Sequence, residues 1–397
     1  MKRVLLLTIV LVLAVSMMLA GCGAPQEEPA APQSSAPAAE SSAPAEESAA
    51  PEQSEEEAAP QESRSAFSTD LMASEADTTP VDPAELPITG IGPGVSTDVK
   101  ANESYKIAIV VKNTTNPFLL KSIAGAEKAA ADMGFECVSL APARQDSLEE
   151  QVKLIEDAIQ QGVQGIILHP IDSNGIMPAI RKCDEAGIPV ACIGTPAANE
   201  TFMRTGVDYT ETGETIAMMV AEKLGGKGKL IILEGPPGAQ NAQERLAGMH
   251  KTLEKYPDIE IVASQTTNFK RTEGMQVTEN LLQKYPDVNA ILACNDESAL
   301  GAIQALKSAG LDGKVIIGSF DGNQDGSAAI KAGEMYATYN VDPFGSTYLA
   351  ATYIVQFLND GTMPQKYFVP FPSVLQDPVI TGENIDNYIS DVAWWKE

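Results

Sequence analysis

Asn116, Phe118, Arg245, Phe269, Asn295 and Asp321 carry side chains suited to gripping a small hydroxylated ring, and each follows a run of branched apolar residues. Two phenyl faces, Phe118 and Phe269, can stack on the C–H faces of such a ring. Asn offers a donor and an acceptor, ionised Asp offers acceptors only, and Arg offers two parallel donors for neighbouring oxygens. Together these types make a small-polyol site: rings cover the apolar faces and polar groups read the hydroxyls. Local structure explains some of them equally well. Asn116 precedes Pro117, the pattern of a helix N-cap and its first helical residue. Asp296 and Asp321 can each cap a following helix, although Asn323 is the better cap and leaves the Asp321 carboxylate free.

Other chemistries find no support. His169 and His250 are the only histidines, so no Ser–His–acid arrangement is arguable. Cys137, Cys183, Cys192 and Cys294 match no zinc spacing, and most sit in apolar runs typical of buried, unreactive thiols; one disulfide among them stays open. GGKGK at 225–229 lacks the spacing and final Ser/Thr of a phosphate loop. No EF-hand spacing appears. The sequence therefore predicts no catalytic residue, no metal and no cofactor.

The elements that must position these residues are legible as an alternation. KIAIVV, FECVSL, GIILHP, PVACIG, KLIILEG, IEIVAS, AILACN and KVIIGSF read as buried parallel strands. Stretches with helical spacing lie between them, among them SLEEQVKLIEDAIQQG, ETGETIAMMVAEKLGG and SALGAIQALKSAG, many closed by glycine. This pattern predicts doubly wound parallel α/β sheets, whose ligand crevice lies beyond the carboxyl ends of the strands.

The start of the chain is of another kind. Lys2 and Arg3 precede an uncharged apolar run from Val4 to Ala20, which ends in Leu19-Ala20-Gly21-Cys22. It reads as a signal peptide over residues 1–21, and its end resembles a bacterial lipobox in which Cys22 becomes lipidated. Residues 23–100 hold 16 Asp and Glu against 2 Lys and Arg and are rich in Ala, Pro and Ser. A stretch that buries so little cannot offset its ordering entropy, so residues 22–102 are expected to be a disordered tether. The net charge of −27 argues against nucleic acid, which demands a basic patch. The remaining ~300 residues suit two domains.

The chain resembles the ribose/galactose-type periplasmic-binding-protein family, the type I fold of ABC sugar importers. The resemblance rests on TNPFLLKSIAGAEKAAADMGF, GIILHPIDS, GIPVACIGT, ASQTTNFKRTEGM, KYPDVNAILACNDESALGA and IIGSFDG, in that order. It implies two lobes, residues 103–207 with 341–371 and residues 208–340 with 372–397, joined by three crossings. These fall near Val207–Asp208, Asn340–Val341 and Pro370–Pro372. It places ligand positions on Asn116, Phe118 and Leu119 in the first lobe, and on Arg245, Phe269, Asn295 and Asp321 in the second, with Phe320 beside them. His169 stands where ribose-type relatives tend to have Asn; capping of the turn with Pro170 is the alternative. Two departures bear on specificity. Gly194-Thr195 replaces an Asp-Arg pair that grips ring hydroxyls, and Val341 replaces a hinge Gln, with Asp342 next to it. Ribose itself is therefore not expected.

The expected protein is an extracytoplasmic, lipid-anchored monomer. It captures a sugar or polyol for ABC permease subunits and has no nucleic-acid partner. A sensor that presents its ligand to a chemoreceptor or membrane kinase is the alternative.

Overall fold

The computed structural model describes residues 81, 83–199, 201–365, 368–370 and 378–396. The signal segment, Cys22, most of the expected tether and most of the expected third crossing lie outside them.

The first sheet is built from β1 (Lys106–Val110), β2 (Glu136–Leu140), β3 (Gly165–Leu168), β4 (Val190–Ile193) and β5 (Met203–Gly206). Helices α1 (Pro117–Met133), α2 (Leu148–Gln160) and α3 (Met177–Glu185) connect its strands. The chain then enters a second unit of the same kind through α4 (Tyr209–Lys223), β6 (Lys227–Glu234), α5 (Gln240–Leu253), β7 (Asp258–Thr266) and α6 (Arg271–Lys284). That unit continues with β8 (Ala290–Ala293), α7 (Asp296–Ser308), β9 (Ile316–Asp321), α8 (Gln324–Lys331) and β10 (Ala337–Asn340). Helix α9 (Pro343–Asp360) and β11 (Phe368–Pro370) return to the first unit, and β12 (Val379–Thr381) and α10 (Ile385–Asp391) to the second. The strand orders are β11-β5-β4-β3-β1-β2 and β12-β10-β9-β8-β6-β7. Every pairing is parallel except β10 with β12.

The inner strands of each sheet are buried on both faces, which is why they read as unbroken apolar runs rather than alternating ones. Val110, Ile166 and Ile180 pack on one face of the first sheet, while Ile109, Met133 and Leu349 pack on the other. Leu233, Ile291 and Ile303 flank the second sheet opposite Ile216, Leu230 and Met249.

Six of the described α-helices start at a side-chain cap. Asn116 accepts from the Phe118 N–H, Ser147 from Glu150, Asp208 from Glu211, Asn295 from Ser298, Asn323 from Gly326 and Asp342 from Gly345. Such caps satisfy N–H groups that the helix itself leaves free. Helices α1 and α9 cross so closely at Gly125 that a Cβ there would stand 2.4 Å from the Phe344 carbonyl oxygen.

The stretch just before β1 departs from the sequence reading. Residues 81 and 83–102 are part of the body: Val81, Leu86, Ile88 and Val95 are buried in the first-lobe core. Composition averaged over a long acidic region hid these four apolar residues, which bury enough surface to order their own stretch. This strap has short turns at Pro83–Glu85 and Gly92–Gly94 and a bridge between Thr89 and Ser96. The Gly92 N–H donates to Asp342 Oδ2 at 3.0 Å, and Gly92, at φ +48°, lies against Trp394 near the end of the chain. Trp394 is fully buried. Cys137, Cys183, Cys192 and Cys294 are free thiols; burial raises all four above the ordinary thiol range.

Candidate functional site

The carboxyl ends of the two sheets face one another across a cavity of about 610 Å³, within the usual range for small-molecule sites. Asn116, Phe118, Leu119, His169, Gly194 and Thr195 line it from the first lobe. Arg245, Phe269, Asn295 and Asp321 line it from the second. Phe320 and Val341 do not. Phe320 alternates with Asp321 along β9, so its ring points into the core beneath Arg245, and Val341 is packed in that same core.

Arg245 is the most constrained polar group in the second lobe. Its guanidinium lies between the rings of Tyr209 (4.9 Å) and Phe320 (4.6 Å). Nη1 donates to the Cys294 carbonyl at 2.7 Å, Nη2 stands 3.8 Å from Asp321 Oδ1, and Nε has no partner. Asp321 is itself buried, and burial pushes its carboxyl well above the usual carboxylate range, against the pull of Arg245. Its backbone carbonyl accepts from Trp394 Nε1 at 3.0 Å, and the Trp394 ring meets Phe118 edge-on at 6.0 Å. Asn295 is largely committed to structure, because Oδ1 caps α7 and Nδ2 donates to the Phe269 carbonyl at 3.3 Å.

His169 is held as a neutral ring. It lies 3.0 Å from Ser122 Oγ through Nε2 and edge-on to Phe118 at 6.3 Å. Gly194, at φ +68°, leaves room for it, since a Cβ there would stand 2.9 Å from His169 Nδ1. Burial, helped by the charge of Lys112, lowers the imidazole from 6.5 to about 3. Depression means the neutral ring stabilises the fold fully above pH 6.5, and that contribution is lost as pH falls toward 3. Urea titrations should show the stability difference between the natural chain and His169→Gln narrowing by about 1.4 kcal/mol per pH unit below the upper value. A difference that stays constant with pH means the ring is not buried neutral.

Among the described residues, four non-glycine residues adopt positive φ: Asp146 (58°), Asn268 (49°), Phe269 (58°) and Asp321 (117°). All four line the cavity. Backbone strain costs about 1–3 kcal/mol per residue and persists where the surrounding structure over-determines it, characteristically at ligand clamps.

The lobes meet directly at the rim. The Ser173 N–H donates to the Gly238 carbonyl at 2.9 Å, the Gln240 N–H to Ser173 Oγ at 3.1 Å, and Thr195 Oγ1 to Asn241 Oδ1 at 3.0 Å. Arg204 pairs with Glu244 at 3.3 Å, and Lys270 with Asp146 at 3.6 Å. The form described is thus closed.

Several lining residues escaped the sequence reading: Lys112, Asp146, Asp172, Tyr209, Asn241, Lys270, Arg271 and Glu297. Lys112 and Asp146 were accessible to the rule already in use, since they follow β1 and β2 on the carboxyl side of the first sheet. Arg271 and Glu297 are bonded to each other at 2.8 and 2.9 Å, a pairing that no local pattern announces. No group of acids, cysteines and histidines among the described residues could hold a metal, and no described helix is long and apolar enough to cross a membrane.

A family model described as a periplasmic binding protein domain matches residues 107–362. The ribose import binding protein of Bacillus subtilis is 37% identical over 244 residues, 61% of this chain and 77% of that protein. A xylitol-binding protein of Mycolicibacterium smegmatis is 31% identical over 312 residues, 78% of this chain and 85% of its own length. Among solved structures, an ABC transporter periplasmic solute-binding protein from Actinobacillus succinogenes with bound D-allose superposes with a TM-score of 0.67 at 32% identity, covering 72% of this chain and all of that one.

Proposed function

Because the chain belongs to the periplasmic binding protein family, we propose that it is an extracytoplasmic lipoprotein that captures one sugar or polyol other than ribose and delivers it to an ABC importer. The relatives it matches are solute-binding proteins, not enzymes. The observation that carries the ligand class is the facing arrangement of Phe118 and Phe269 with the Arg245–Asp321 pair in one closed cavity. Support for a ligand other than ribose comes from Gly194-Thr195, where neither residue carries a charge. Support for the anchor comes from the apolar run ending at Cys22. The importer is the partner class of the relatives, and the protein acts as a monomer on this reading.

Closure is the working step. An open form admits the ligand, which then bridges Phe118 on one lobe and Phe269, Arg245 and Asp321 on the other. The ligand shifts the equilibrium only by its greater affinity for the closed form, and the permease subunits read that form.

A thermal-shift panel of pentoses, hexoses, deoxy-sugars, polyols, sugar acids, nucleosides and amino acids tests this function. A ligand at a hundred times its Kd adds about 2.7 kcal/mol, worth a few degrees at this size. A shift with one sugar or polyol and none with ribose is the expected result. A shift confined to an amino acid or nucleoside overturns the ligand class.

A further inference from the structure

Lys112 is the one lysine of the cavity wall that has no carboxylate within ion-pair distance. Lys270 pairs with Asp146 and Glu273, and Arg271 with Glu297 and Asp325. Arg245 has Asp321 at 3.8 Å. Lys112 Nζ instead donates to a neutral hydroxyl, Thr195 Oγ1, at 2.6 Å, and its charge stands 5.9 Å from the centre of the Phe269 ring on the opposite lobe. Closure therefore traps an ammonium between the lobes with a hydroxyl and a ring face as its only direct partners. Both are favourable, but neither supplies opposite charge. Burial is the main cause that lowers Lys112 to about 8; Asp146 opposes that shift and Arg245 adds to it. A second donor goes unused nearby, since the buried Nε of Arg245 has no partner.

We propose that the ligand carries a carboxylate, as a sugar or polyol acid does, and that Lys112 is the residue that selects it. The inference rests on the polyol-binding reading of the same cavity and narrows it. A hydroxyl accepting from Lys112 completes a hydrogen bond but leaves the trapped charge unmatched; a carboxylate does both. Among the described cations of the wall, Lys112 alone has no carboxylate at ion-pair distance, and one carboxylate on the ligand supplies it. The hydroxyls of such a ligand remain for Asp321 and the aromatic faces.

The test is calorimetric titration of the full chain with matched pairs: D-glucuronate against D-glucose, D-galacturonate against D-galactose, and D-gluconate against D-glucitol. The expected result is that at least one acid binds tenfold or more tightly than its neutral partner. Raising the salt concentration should shrink that ratio. In Lys112→Met the ratio should fall toward one, and in Lys112→Arg it should persist, which separates loss of charge from loss of fold. A neutral sugar or polyol bound at least as tightly as its acid, with the same affinity ratio in Lys112→Met, overturns the proposal and leaves the polyol reading standing. No binding by any member of either set, with a shift from a nucleoside or amino acid, overturns both.

Discussion

Asp321→Asn should weaken ligand binding at least tenfold while leaving the melting temperature of the free protein within a few degrees of its natural value. The substitution keeps the shape of the side chain, and Asn tolerates positive φ better than most residues, which matters at φ +117°. It replaces one acceptor oxygen with a donor that faces the guanidinium of Arg245, now 3.8 Å from a carboxylate oxygen. Arg245 then keeps its carbonyl partner at Cys294 but loses its one carboxylate. Hydrogen bonds to charged groups contribute about 1.5–3 kcal/mol, which corresponds to roughly ten- to hundredfold in affinity. The fold should survive because β9 is held by its neighbours and the Asp321 backbone carbonyl keeps its bond from Trp394. Calorimetric titration with the ligand found by the panel, alongside thermal unfolding, reads both quantities. Unchanged affinity would remove Asp321 from the site.

Gly238→Ala should weaken binding by a comparable factor through a different route. A Cβ at Gly238 would stand 2.0 Å from Asp172 Oδ2 and 2.9 Å from its Cγ, across the seam between the lobes. Asp172 has little freedom to withdraw, because Oδ1 accepts from the Asn174 and Gly175 N–H groups at 3.0 and 2.7 Å. The clash exists only when the lobes meet, so each lobe should fold unchanged and the closed form alone should suffer. Overpacking of this kind costs about 1–3 kcal/mol, or roughly five- to a hundredfold in Kd. The loss should appear mainly as faster ligand release, measured by stopped-flow dissociation, because association begins from the open form. Unchanged release would mean that ligand retention does not depend on contact at this seam.

The alternation of strands and helices was legible because strands buried on both faces read as continuous branched runs and their helices carry clear caps. β5 (MRTG) and β10 (ATYN) were not, because they carry no run of branched apolar residues, nor were β11 and β12, which are three residues long. A three-residue run falls below the length at which periodicity separates strand from loop. At the site, Asn116, Phe118, Arg245, Phe269, Asn295 and Asp321 were readable by position, and the family resemblance added Leu119, His169, Gly194 and Thr195; all of these line the cavity. Phe320 failed because its face is set by the pleat, one residue out of phase with Asp321. Lys112 was passed over although it directly follows the first strand motif. Its importance depends on which carboxylates are already taken by other cations, and that pairing is decided between elements far apart in the chain.

The strap and the last turn of the chain have a kinetic consequence. The core of the first lobe includes Val81, Ile88 and Val95 from the start of the described chain and Trp394 from its end. Contacts between residues so far apart in sequence form slowly, because the intervening loop must be closed first. Trp394 therefore cannot take its place in this core until residue 394 is available. Removal of Trp394 would take away the donor to the Asp321 carbonyl. Clipping before residue 394 would thus be felt in the middle of the ligand cavity, at Asp321 and Phe118.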